Sequence, residues 1–488
     1  MHPARNPSRR PGPALIAILL AAVAVLAAAC TPDHPQSTFG TGSPVAKQQA
    51  DLFKFIFWIA VGVFVVIEAA IVIFALRFRA KRGDQVPAQT HGNTKLEVAW
   101  TIIPALILVA IAIPTVKGIY DTYTPPEKAG DPLVIEATGH QWWFEFRYAK
   151  NEIVTANELH VPVGKPVLVK ITSQDVIHSF WVPKLAGKVD MIPNRNNQVW
   201  FLADEPGVYL GQCAEFCGIA HAKMRFRVIA QTPEEYDKWV AGMHTAPASP
   251  ATGSPEAEGR TLFAANCSTC HTTDSYKAGA YAAEAVQQQT GFAAWRANPD
   301  PEGENPSRIV SAPNLTHFGT RMTMAAGLRD LNRENLVAWI TDPGSIKQGT
   351  RMQAHAAVYQ TPDKKNRLSP DEIGKIADYL LSLKPGESAG LGTVTDNPAA
   401  RGQEVYLSKG CAGCHSTGDN IIVGPGWKGV YERAATRRPG VSAEDYVKES
   451  IKTPTAFVVP GFAPVMPPFP NLSDQDISDL IEFMKTLK

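Results

Sequence analysis

The sequence has almost no net charge: 47 Lys and Arg stand against 46 Asp and Glu, for a formal +1. Nucleic-acid-binding chains carry a basic excess or a basic stripe, so no nucleic-acid partner is expected. Cysteine is scarce, seven in 488 residues, and no pair is left over for a structural disulfide. Cys30 stands alone, Cys213 and Cys217 share one segment, and Cys267, Cys270, Cys411 and Cys414 fall in two Cys-x-x-Cys-His motifs. Cysteine usage therefore reads as cofactor chemistry. No acid–base or nucleophilic constellation is apparent, so no catalytic residue is assigned. The length is too great for one ordinary core, and about three domains is the prior.

Long apolar runs are few and lie near the N-terminus. Arg5, Arg9 and Arg10 precede the run Ala14 to Ala29, which ends in small residues as an export signal does. Leu26-Ala-Ala-Ala-Cys30 resembles a bacterial lipobox, with Ala27 where Leu is usual, so Cys30 is the expected lipidation site. Residues 1–29 are then the signal and 30–49 a flexible lead-in. Phe55 to Leu76 is apolar but for Glu68, and Val98 to Val116 is a second run containing Pro104 and Pro114. The first would reach roughly 33 Å as a helix, enough for a bilayer core. Residues 50–118 are thus expected to form a transmembrane hairpin. Arg77, Arg79, Lys81 and Arg82 crowd its connection. The positive-inside rule puts that loop in the cytoplasm, with both termini and all later domains on the outer face of a bacterial inner membrane, against its lipid.

Cys213-Ala-Glu-Phe-Cys-Gly-Ile-Ala-His-Ala-Lys-Met224 offers two thiols, an imidazole and a thioether within one short segment. Soft sulfur with imidazole selects copper, zinc or iron–sulfur centres, and Met favours copper among these. One His is too few for a copper site of the His₂Cys type. His178, in the strand-like run Asp175 to Pro183, is the candidate for the second. A Cys213–Cys217 disulfide is the bland alternative. Short β-type runs surround both segments: Leu133–Thr138, Trp142–Tyr148, Glu158–Val161, Val167–Thr172, Ile177–Val182, Gln198–Ala203, Val208–Gln212 and Arg225–Ile229. Their spacing predicts an all-β sandwich over residues 130–232.

A Pro-, Ala- and Ser-rich stretch, 245–258, reads as a linker. Beyond it Cys267-Ser-Thr-Cys-His271 and Cys411-Ala-Gly-Cys-His415 are c-type haem attachment signatures. Each follows an amphipathic helix, beginning at Gly259 or Gly402, and each is matched downstream by a second helix, Leu368–Lys384 or Leu472–Lys488, with a Ser N-cap and acidic first turn. Two all-α domains, 259–386 and 399–488, are expected. Residues 275–310, rich in Ala, Gln and Asn, have no reading.

Taken together, residues 50–232 resemble subunit II of the heme–copper cytochrome c oxidases, and the two haem segments resemble class I cytochromes c. The resemblance implies a cupredoxin fold holding the binuclear copper centre CuA. Cys213 and Cys217 would bridge both coppers, His178 and His221 would bind one each, and Met224 and the Glu215 carbonyl would complete the two sides. It implies that the Glu215 carboxylate reaches a magnesium site shared with subunit I. Trp142, in Gly139-His-Gln-Trp-Trp-Phe144, matches the tryptophan where electrons enter from cytochrome c, although Trp143 and Phe144 stand where Tyr and Trp are usual. Glu97, before Val98-Ala-Trp-Thr-Ile-Ile-Pro104, matches an acidic residue at the mouth of a proton channel. Haem c 1 would be attached at Cys267 and Cys270 with His271 and Met352 as axial ligands, Met322, Met324 and His317 being rivals to Met352. Haem c 2 would be attached at Cys411 and Cys414 with His415 and Met466 as ligands.

The expected function is electron relay, from an upstream donor such as a cytochrome c or a quinol-oxidising complex, to the oxygen-reducing site in subunit I. Proton translocation would occur there as well. Alternatives are the electron-accepting subunit of a CuA-type nitric oxide reductase and a membrane-tethered electron carrier.

Overall fold

A computed structural model describes residues 34–79, 92–268, 270–273, 312–362, 365–386, 397–409, 411, 414–421, 423–469 and 472–488, with isolated positions 17, 18, 21, 24 and 25 before them. Apart from those isolated positions, the expected signal lies outside the described residues, as do Cys30, Lys81, Arg82 and the 275–310 insertion.

Two helices, α1 (Pro44–Arg77) and α2 (Thr94–Asp121), are long and apolar enough to cross a membrane. Both extend past the apolar runs that predict them. Ser43 accepts from the Val45 amide and Pro44 fits the first turn, so α1 starts ahead of its hydrophobic stretch. Pro104 and Pro114 lie inside α2 without ending it.

The next region is a β-sandwich of ten short strands: β1 (Leu133–His140), β2 (Trp143–Tyr148), β3 (Ile153–Ala156), β4 (Glu158–Pro162), β5 (Val167–Ser173), β6 (His178–Phe180), β7 (Val189–Met191), β8 (Asn197–Phe201), β9 (Gly207–Gln212) and β10 (Arg225–Gln231). One sheet runs β3-β2-β1-β5-β8, a second runs β4-β10-β9, and β6 pairs with β7 as a ribbon. Strands β3 and β7 were not expected, being only four and three residues long. Inward residues such as Ile135, Phe144, Phe146, Ile171, Phe180 and Phe226 are fully buried and form the core between the sheets. β2 is buried on both faces. Its Phe144 and Phe146 enter the core, while Trp143 packs with Ala156 and with Ala326 of the first helical domain. A further helix, α3 (Pro233–Met243), follows the sandwich, started by a Thr232–Glu235 capping box.

The two haem-motif regions repeat one design. In the first, α4 (Pro255–Asn266) carries the motif at its end, and α5 (Arg333–Thr341), α6 (Pro343–Ile346) and α7 (Arg351–His355) lead to α8 (Pro370–Ser382). In the second, α9 (Pro398–Ser408), α10 (Val430–Arg437) and α11 (Ala443–Lys452) lead to α12 (Asp474–Thr486). Ser369 and Ser473 cap α8 and α12 through capping boxes with Glu372 and Asp476. Both helix crossings depend on glycine. A Cβ on Gly259 would lie 1.9 Å from the Lys375 carbonyl, and one on Gly402 would lie 1.9 Å from the Asp479 carbonyl. The backbones therefore approach as no side chain would permit. The stretch read as a linker is partly ordered. Pro247 bridges to Pro385, and the Gly386 amide donates to Ala246.

Candidate metal and haem sites

The sulfur-rich segment is a loop between β9 and β10, closed at its base by a hydrogen bond from the Cys213 amide to the Met224 carbonyl (2.9 Å). Strand pairing places Gln212 opposite Arg225, so the first and last ligand candidates meet where the strands part. Gly218 lies at φ +112°, and a Cβ there would sit 3.1 Å from the Trp142 ring. The loop can thus fold beneath that indole only with glycine at this position.

Within the loop the donors form one connected cluster. Cys213 Sγ lies 3.8 Å from Cys217 Sγ, 3.9 Å from His178 Nδ1 and 3.2 Å from the Glu215 carbonyl. Cys217 Sγ lies 3.6 Å from His221 Nδ1 and 3.9 Å from Met224 Sδ. Both cysteines are free and buried, so the disulfide alternative does not hold. Two thiols, two imidazoles, a thioether and a carbonyl facing one another, with His178 and Met224 fully buried, fit a soft metal centre. The hydrogen bond between the two thiols pulls Cys213 down despite burial, with His178 assisting, and the same bond together with burial pushes Cys217 up. The thiolate is the form that binds metal.

One participant was not found from sequence. Asp175 Oδ1 lies 2.8 Å from His178 Nε2. The Nε2–H donated there leaves the Nδ1 lone pair aimed at the sulfurs. Asp175 also accepts from the Gln141 amide (2.7 Å), which anchors the strand connection bearing Trp142. The spacing Asp-x-x-His was the available signal, but β-turn aspartates are too common for it to decide. Asp175→Asn should keep the shape of this contact and remove its charge. Copper affinity is expected to fall by about 10- to 100-fold, as other ligand-orienting carboxylates do, and competition with a copper chelator measures it.

Trp142 sits above this loop, its indole N–H donating to the Cys217 carbonyl (2.8 Å). Glu215 turns its carboxylate outward, 3.3 Å from Lys188 and 41% exposed. Glu97 lies exposed in the first turn of α2, accepting from the Asn93 amide.

The first haem motif opens onto a cavity of about 300 Å³ lined by Cys267, Cys270, His271, Met324 and Met352, and also by Trp142. His271 Nδ1 donates to the Pro313 carbonyl (2.8 Å), so Nε2 is the nitrogen left for a metal. Met352 and Met324 share the cavity, whereas Met322 is half exposed and does not line it. His317 bonds the Thr245 carbonyl and lines a separate small cavity, so it is not brought to the motif. The second motif repeats the arrangement: a cavity of about 140 Å³ lined by Cys414, His415 and Met466, with His415 Nδ1 donating to the Pro425 carbonyl (2.8 Å). Burial holds His271 and His415 below the usual imidazole range, hence neutral. It also pushes the Cys267 and Cys411 thiols up to about 12 each. These remain S–H groups, as thioether formation with a vinyl group requires, in contrast to Cys213. Apolar walls, an imidazole and a thioether fit haem c at both places, with two lining thiols at the first and Cys414 at the second, where Cys411 packs against the core.

Comparison with known proteins gives matches over most of the chain. Family models for the cytochrome c oxidase subunit II transmembrane domain match residues 36–117, and those for its periplasmic domain match 151–231. The cytochrome c family matches twice, over 256–384 and 399–488. The cytochrome c oxidase subunit 2 of Alkalihalophilus pseudofirmus is 38% identical over 325 residues, 66% of this chain and 82% of its own. That of Bacillus subtilis is 32% identical over 383 residues, 75% of this chain and 97% of its own. Among solved structures, the periplasmic domain of subunit II of cytochrome oxidase from Bradyrhizobium japonicum is 35% identical, with a TM-score of 0.23, covering 23% of this chain and 94% of that one.

Proposed function

The chain belongs to the cytochrome c oxidase subunit II family, in the form that carries a C-terminal cytochrome c extension, and from that premise we infer how its residues carry out the relay. It is a subunit of an oxidase whose oxygen-reducing site lies on another subunit, and it is a copper- and haem c-binding membrane protein with periplasmic domains. When bound, the copper pair and the haems supply reversible one-electron chemistry.

The residues proposed to hold the copper pair are His178, Cys213, Cys217, His221, Met224 and the Glu215 carbonyl. Their task is to stay still, because a relay loses rate to any rearrangement on electron transfer. The closed loop base and the Asp175 bond to His178 serve that end. Cys267, Cys270, His271 and Met352 are assigned to one haem, and Cys411, Cys414, His415 and Met466 to a second. The carboxylate of Glu215 is assigned to magnesium shared with subunit I, and Glu97 to the proton-channel mouth. The domains are taken at the limits expected from sequence, with the hairpin in the inner membrane and both termini outside.

One observation carries the direction of the relay. Trp142 lines the first haem cavity and donates to the backbone of Cys217. That adjacency supports the first haem domain as the immediate donor to the copper residues, with the second haem domain proposed to receive electrons from an external donor. Purification of the membrane complex tests the whole reading. Azide-sensitive oxygen uptake is expected, and a complex lacking subunit I haems would refute the oxidase.

A further inference from the structure

The first haem domain meets the copper-bearing sandwich through a buried polar interface. Glu158 in β4, 3% exposed, accepts from the amides of Met322 (3.0 Å) and Thr323 (2.8 Å) and from the Thr323 hydroxyl (2.8 Å). The Arg225 amide donates to Ala326, and the Arg227 guanidinium donates to Gly327 (3.0 Å). Separating the two bodies would strip a buried carboxylate of its partners, so the contact is built to stay closed.

One segment of that interface reaches the redox residues themselves. Between α6 and α7 the backbone passes directly over the copper loop: a Cβ on Gly349 would fall 2.3 Å from Ile219 and 3.6 Å from the Trp142 ring. Lys223, within the loop, donates to the Ile346 carbonyl (2.8 Å). Lys347, 4% exposed, donates its Nζ to the Trp142 carbonyl. Arg351 donates to Gln141 Oε1 (2.9 Å) and lies 4.0 Å from Asp175, the residue that orients His178. Gln141 in turn donates its side-chain amide to the Cys217 carbonyl (2.9 Å). The segment's next residue, Met352, is the haem ligand assigned above. A buried lysine is costly to hold and is retained where its bond has a use. Here that bond fixes the peptide of Trp142.

We propose that Lys347 and Arg351 are positioning residues of the relay: they latch the first haem domain onto Gln141 and Trp142 and so set the geometry of transfer from haem to copper. The proposal rests on the assignment of copper and haem made above. Lys347 acts on Trp142 through its carbonyl, and Arg351 acts on both Gln141 and Asp175. The route from Met352 to the Cys217 backbone is thereby held in one arrangement.

The test uses the intact membrane complex carrying Lys347→Met, Lys347→Arg or Arg351→Met, with electrons injected by a laser-activated donor and haem and copper followed at separate wavelengths. Lys347→Met should keep the near-infrared copper band and full c-type haem while slowing haem-to-copper transfer at least tenfold. Lys347→Arg, which retains a donor, should recover the rate to within about threefold of the unmodified complex, which bulk packing alone would not explain. Arg351→Met should also slow transfer and serves as the deciding variant if Lys347→Met fails to accumulate. An unslowed rate in a loaded Lys347→Met complex, or in Arg351→Met, overturns the latch. So does failure of Lys347→Arg to recover the rate. An unmodified complex without the near-infrared band overturns instead the copper assignment beneath it, a result visible before any variant is made.

Discussion

Cys217→Ser is expected to abolish the near-infrared copper absorption and to lower oxygen uptake by at least two orders of magnitude, while leaving the c-type haem spectrum unchanged. Cys217 stands at the centre of the donor cluster. Its sulfur is the atom within 4 Å of Cys213, His221 and Met224. Its carbonyl receives both the Trp142 indole and the Gln141 amide. A serine hydroxyl keeps the backbone contacts but replaces a soft thiolate by a hard donor that stays protonated at neutral pH. His221→Ala removes one peripheral imidazole and should likewise erase the near-infrared band. The haem cavities lie outside the loop and their thiols are untouched, so the pyridine haemochrome spectrum is the internal control. Retention of the near-infrared band in Cys217→Ser would falsify the bridging role.

The chemistry was legible in the sequence wherever it was local in the chain. The loop from Cys213 to Met224 closes on itself between two paired strands, so four of its side chains meet because of spacing alone. The same holds for each Cys-x-x-Cys-His motif and for the Ser-capped helices α8 and α12, whose caps follow from residues three apart. His178 comes from a separate ribbon, so no spacing tied it to the loop; the need for a second imidazole and the family resemblance pointed to it, and the fold sets it 3.9 Å from Cys213. What escaped was second-order or long-range. Asp175 acts through His178, and Pro313 and Pro425 act through backbone carbonyls that any residue type would offer.

The interface was the least legible. Lys347 and Trp142 are 205 positions apart, and β2 appears as an ordinary strand until Ala326 covers its second face. Amphipathic periodicity reports one buried face per element. It cannot report that a distant domain buries the other.

Removing the second haem should separate the two cytochrome units. In a Cys411→Ala/Cys414→Ala double variant, c-type haem is expected to fall from two per chain to one, with the copper band intact. The physical ground is that the second unit is built largely from its own residues. Val405, Trp427, Tyr446, Ile451, Leu480 and Phe483 form its core, and Arg401 pairs with Asp479 across its helix crossing through two bonds of 2.7 Å. Loss of its haem leaves the first cavity, with its wall of Trp142 and Met352, unchanged. Oxygen uptake driven by a protein donor should drop at least tenfold, because the latch segment already covers Trp142 and the second haem is the site proposed to receive that donor's electrons. Small-molecule reductants, which reach the first haem without docking, should sustain far more of the original rate. An unchanged haem content would refute the tandem assignment. Equal losses with protein and small-molecule donors would instead place the second haem inside the only route to copper and not at its outer end.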